Sequence, residues 1–145
     1  MTETPPGAIP DEARRRAGAD HAEEHPDAEE LVVVPLACSL AGQEHPVRVV
    51  PGTQAGALYA ASESVEPFFC SFGLDPRYLA PLERAGLRFS RFDAAGEARI
   101  LELPGHPFVL GTLFVPQANP RRSPHPLLAG LVAAAGQRAA VPVAG

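Results

Sequence analysis

Proline and glycine punctuate this chain so densely that it cannot build a long uninterrupted element. Its 145 residues include 17 prolines and 13 glycines. Proline removes a backbone donor and fixes φ, while glycine leaves the backbone loose, so clusters of the two end helices and strands. The fold must be assembled from short pieces. Between the breaks, the β-branched run of Leu31 to Leu36 predicts a buried strand interrupted by Pro35. Pro46 to Val50 predicts a second strand, closed by Pro51-Gly52. Thr53 is placed to cap a short helix over Gln54 to Tyr59, and Val65 to Phe72 predicts a third strand. Asp75 as N-cap, Pro76 at the first position and Gly86 past the end delimit a helix over 76–85. Leu87 to Asp93 and Glu97 to Leu103 pattern as a hairpin around Ala94-Ala95-Gly96. Phe108 to Val115 predicts the next strand. Pro126 to Gly136 predicts the final helix, with Leu127, Leu128, Leu131 and Val132 on one face.

Charge divides the chain at about residue 30. Residues 1–30 carry nine acidic and three basic side chains, whereas the remainder carries eight acidic and nine basic. The expected organisation is an acidic, mostly disordered segment over 1–30, one α/β unit over 31–136 and a flexible tail over 137–145. Within the first segment, Asp11 to Ala17 could form two helical turns, and residues 19–30 read as a mobile acidic loop. No basic stripe and no Trp is present, which argues against nucleic-acid binding. No apolar run reaches the ~18 residues that span a membrane, and the first residues lack the apolar core of a signal peptide. The cytoplasm is the default compartment. Cys38 and Cys70 make neither a disulfide framework nor a CxxC metal pair.

The segment Leu101 to Ala135 contains Gly111-Thr112-Leu113-Phe114-Val115-Pro116-Gln117, followed by Pro124-His125-Pro126-Leu127-Leu128. This run resembles the end of the class I glutamine amidotransferase domain of CTP synthase, whose strand end carries a catalytic His and Glu two residues apart. Val115 stands at the position of the His and Gln117 at that of the Glu. Valine cannot take a proton, and a neutral amide cannot stabilise an imidazolium as a carboxylate does. The resemblance extends back over residues 31–136. Glu66-Pro67-Phe68-Phe69-Cys70-Ser71-Phe72-Gly73-Leu74-Asp75 fills the place of a basic family segment in which an Arg holds the glutamine carboxylate. Glu66 is identical to its counterpart, but the basic positions have become Pro67 to Ser71. An apolar strand cannot supply that charge-assisted fork. The combination is similar to a group of CTP synthase C-terminal region-related proteins that includes suspected selenoproteins. The resemblance implies a flavodoxin-like amidotransferase fold with a β-hairpin. It also implies an N-terminal truncation that leaves a partial sheet, since the family's first strands and nucleophile elbow have no counterpart here.

Other candidate groups have plainer explanations. His21-Ala22-Glu23-Glu24-His25 spells the inverted zinc-protease motif, but Pro26 disfavours helical backbone at His25, so an acidic loop is expected instead of a metal site. His25, His45, His106 and His125 each precede proline, and His106 and His125 fall where the family has structural His-Pro pairs. Cys38, between leucines, is expected to be a small buried hydrophobe. Cys70 lies, by the resemblance, on a strand facing the former glutamine pocket. A core cysteine is the expected role, and Cys70 is the candidate redox residue as the alternative. No cofactor or metal is expected. The leading expectation is a degenerate, non-catalytic binding or scaffold module, with self-association or a missing N-terminal half as partner. The rivals are a redox protein using Cys70 with an elbow Cys or selenocysteine, a glutamine-hydrolysing amidotransferase, and a gene fragment.

Overall fold

The computed structural model describes residues 19–69 and 71–140. Among the described residues, two sheets and three helices are built from short elements, in keeping with the proline and glycine spacing. Sheet one contains β1 (Ala19–His21), β2 (Glu30–Pro35) and β5 (Phe72–Leu74) in the order β1-β2-β5. β1 runs parallel to β2, and β5 antiparallel to it, with Val33 opposite Leu74. Sheet two contains β3 (Gln43–Val49), β4 (Glu63–Phe68), β6 (Arg88–Asp93), β7 (Ala98–Glu102) and β8 (Leu110–Thr112) in the order β4-β3-β6-β7-β8. Every neighbouring pair in it is antiparallel. The fold is mixed α/β, with the expected hairpin at the centre of a larger antiparallel sheet.

Local signals fixed most boundaries. Helix α1 (Gln54–Tyr59) begins at Thr53, whose hydroxyl accepts the Gly56 N–H. Its first free amides are taken by a distant group: the buried Glu102 carboxylate accepts from Gln54 N at 3.0 Å and Ala55 N at 3.1 Å. An anion at a helix N-terminus satisfies orphan donors and complements the dipole. Asp75 caps a 3₁₀ turn over Pro76–Tyr78 that leads into α2 (Leu79–Arg84). Gly96, at φ 83°, supplies the left-handed residue of the β6–β7 turn.

Several expectations change. Residues 19–21, read as loop, form β1. The strand expected over 65–72 is divided between sheets: β4 ends at Phe68, and Phe72 starts β5 in the other sheet. Pro67 and Phe68 are buried in sheet two, so a continuous extended chain could not also reach β2. The strand expected over 108–115 shortens to Leu110–Thr112. The last helix, α3 (Pro126–Ala139), continues beyond Gly136. The turns expected over 11–17 lie outside the described residues.

The core joins Val47, Ala55, Tyr59, Phe68, Ile100, Phe114 and Leu127, between sheet two and helices α1 and α3. α3 does not bury the face its sequence suggested. Leu127 is buried, but Leu128, Leu131 and Val132 are 37%, 47% and 71% exposed. The helix docks through Leu127 and Gly130 instead. A Cβ at Gly130 would lie 2.6 Å from Leu58 Cδ2, so glycine is what permits this close approach of α3 to α1. Among the described residues, no helix is long and apolar enough to cross a membrane.

Candidate functional site

The two segments singled out by the resemblance, around Val115 and around Pro67, meet in space. β8 leads through Phe114 to Val115, whose N–H donates to the Pro67 carbonyl at 3.2 Å. The Phe114 and Phe68 rings pack with centroids 5.8 Å apart. Val115 then opens a 3₁₀ turn over Pro116–Ala118, which holds Gln117 on the surface. Facing this turn are the buried Pro67 and Phe68, followed by Phe69, which is 60% exposed. Pro67, Phe68, Phe69, Val115, Pro116 and Gln117 provide no acid, base or cation. The surface they form can bind apolar groups and donate or accept through one amide. Cys70, the candidate redox residue, lies outside the described residues.

Directly beneath lies a polar centre built on Glu66. Strand alternation turns Ser64, Glu66 and Phe68 inward on β4 and leaves Glu63 and Val65 outward. The Glu66 side chain is fully buried, and a carboxylate there is costly unless paired. It accepts from Tyr59 Oη at 2.8 Å, Ser64 Oγ at 2.9 Å and Asn119 Nδ2 at 2.9 Å. His125 Nε2 lies 3.2 and 3.1 Å from its two oxygens. One side chain thus ties β4 to α1, to the loop after the 3₁₀ turn and to the start of α3.

His125 has no free nitrogen. Its Nδ1 accepts the Leu127 N–H at 3.2 Å, capping α3, so the ring proton resides on Nε2 and is donated to Glu66. The proline at 126 has no N–H, which makes Leu127 the first helical donor to be capped. His106 repeats the device by accepting from Phe108 N at 3.2 Å. Glu66 and His125 are 0% and 2% exposed, so no substrate reaches them. The Arg91 guanidinium lies 3.5 Å from the Tyr59 ring centroid and supplies a compensating positive charge. Burial, then the charge and hydrogen bond of Glu66, push the Tyr59 phenol well above its ordinary value. Burial lowers the Arg91 pKa. The arrangement clamps elements together and offers no free base.

The remaining candidates are dispersed. Cys38 is exposed, not buried as expected. Pro35 ends β2, and in the following loop the half-buried Leu36 and Leu40 turn inward while Cys38 faces solvent. His21 ends a strand and His25 sits in the next turn, so their motif is not helical. His21 Nδ1 accepts from Glu23 N, and His25 pairs with Asp20 at 2.9 Å. Sequence reading identified Glu66 and His125 separately but missed Tyr59, Arg91 and Asn119 as their partners. The available signal was an acid on the inward register of a strand, two residues from Phe68, which demands donors.

Comparisons with known proteins agree with this geometry. The chain is 39% identical over 113 residues to a protein named CTP synthase from Pyrobaculum calidifontis, covering 76% of this chain and 21% of that protein. It is 38% identical over 95 residues to the CTP synthase of Roseiflexus castenholzii, covering 64% and 17%. For that of Natronomonas pharaonis the values are 40% over 90 residues, 61% and 16%. The chain therefore spans about a fifth of the length of these curated relatives. Its fold matches a solved structure titled as the glutaminase domain of Trypanosoma brucei CTPS with bound acivicin. The TM-score is 0.74 at 20% identity, and the match covers 88% of this chain and 56% of that one. No family profile matches the chain.

Proposed function

We propose that this chain, a relative of the glutaminase domain of CTP synthase, is a non-catalytic module that retains the amidotransferase scaffold and acts by binding. The observation that carries this reading is the surface where Val115 meets Pro67. The positions that the resemblance assigns to a base, its carboxylate and a glutamine anchor are valine, an exposed amide and an apolar strand. The His-Glu pair that the fold does contain, His125 with Glu66, is buried and saturated with hydrogen bonds. Without a base and an anchor, the chain has no means of positioning and activating glutamine for attack.

Glutamate release from glutamine by the purified chain tests the proposal. No turnover above a heat-treated control is expected, and clear turnover overturns it. The pair Val115→His with Gln117→Glu should not restore activity, because the glutamine anchor remains absent. A redox role centred on Cys70 is separated by brief alkylation of the native protein followed by mass spectrometry. The exposure of Cys38 leads us to expect rapid labelling there. Selective labelling of Cys70 with Cys38 spared would favour the redox reading over binding.

A further inference from the structure

Helix α3 carries no charged residue from Pro126 to Gln137. A surface helix ordinarily turns a charged or polar face to water. α3 turns out Leu128, Leu131 and Val132, at 37%, 47% and 71% exposure, together with the exposed Ala135. These positions follow the spacing i, i+3, i+4 and i+7, so they form one continuous apolar stripe. Arg138 lies two turns beyond Leu131, exposed, and ends the same stripe at the C-terminus of the helix.

The chain is also cationic where it enters the helix, at Arg121 and Arg122. Arg121 is paired with Glu44 at 2.8 Å. Among the described residues, neither Arg122 nor Arg138 has a carboxylate partner. The first turn of α3 holds no acid. The exposed face of α3 is thus an apolar stripe bracketed by cations.

The geometry points to a docking face for an amphipathic helix of another protein. That helix lies antiparallel on α3, with its apolar residues on the stripe and Asp or Glu in its first turn against Arg138. The direction follows from electrostatics. Acids are favoured at a helix N-terminus, and in the antiparallel sense that end meets the cationic C-terminus of α3. A second copy of α3 does not fit. Antiparallel pairing of two copies would set Arg138 of one beside Arg121 and Arg122 of the other, where like charges repel. One helix face is smaller than the ~1,200 Å² of a stable interface, so binding in the micromolar range is expected.

The test titrates the full chain with a synthetic amphipathic helix that has leucines at every third or fourth position and two glutamates in its first turn. A control peptide carries lysines in place of the glutamates. Saturable amide NMR shifts from Leu128 to Arg138 are expected, with the acidic peptide binding about fivefold more tightly than the control at low salt. Arg138→Gln should erase that preference. Val132→Glu, at an exposed position that leaves the core intact, should abolish binding without moving the urea midpoint. Absence of saturable binding, equal binding of the two peptides, or shifts confined to other elements overturns the proposal. So does a dimer of the chain alone in light scattering that Val132→Glu dissolves, since the occupant would then be a second copy. None of these results bears on the glutamate-release assay, so the two readings fail independently.

Discussion

Glu66 and Arg99 are buried to almost the same degree, yet one is completely satisfied and the other is not. The partners explain the difference. Glu66 receives Ser64 from its own strand but Tyr59, Asn119 and His125 from three other elements, the last two more than 50 residues later. Arg99 draws its acceptors from its own hairpin, from Asp93 and Glu97. Donors converging from several directions can saturate a carboxylate. A hairpin reaches only one edge of a guanidinium. The contrast teaches that the Glu66 carboxylate is saturated, whereas the Arg99 guanidinium, like that of Arg91 against Tyr59, keeps N–H groups without an acceptor.

The sharpest challenge to that contrast is Glu66→Ala. It would strand four buried donors and leave Arg91 without its counter-charge, so a loss of about 3–5 kcal/mol is expected from urea denaturation. A loss under about 1 kcal/mol would show that Glu66 is not the clamp. Arg99→Met removes an unsatisfied N–H along with the ion pairs, and Asp93 keeps its bonds from Ala95 N and Glu97 N. A smaller loss of about 2 kcal/mol is expected. Equal losses for the two variants would dissolve the comparison.

Tyr59→Phe sharpens the clamp side through pH. It deletes one bond to a charged acceptor and should cost about 1.5 kcal/mol near neutrality. The folded phenol is raised above its unfolded value of about 10, so its stabilisation is complete below about pH 10 and is lost as pH rises further. The stability gap between wild type and Tyr59→Phe should therefore shrink from pH 8 to pH 11, as read from denaturation midpoints. A constant gap would refute the assigned environment. The smallest effect is expected from Thr53→Ala, about 1 kcal/mol for a lost cap, measured by thermal unfolding. Because Glu102 still holds two amides of α1, a loss no larger than this is expected.

Much of the fold was legible in the chain. Thr53 before Gln54–Tyr59, Asp75 before Pro76 and Gly96 in the hairpin turn were all placed correctly, because caps and turns are settled within three or four residues. The candidate surface was half legible. The resemblance singled out Val115 and Pro67 to Ser71 separately, and only the structure brings Val115 against Pro67. Cys38 was misjudged because flanking leucines do not reveal which way a loop turns.

By itself, the sequence determined most of the short elements, their caps and the hairpin. Tertiary structure alone decided that the segment from Val65 to Phe72 serves two sheets, that Glu66 and His125 bond to one another, and that α3 turns Leu131 and Val132 outward. The rotation of α3 shows the reason. Its hydrophobic stripe would seat Leu128 and Leu131, but His125 is tied to Glu66 at the helix start and Gly130 admits Leu58 in the middle. Those two anchors come from residues dozens of positions away, and a contact between distant residues leaves no periodicity in the chain from which it could be read.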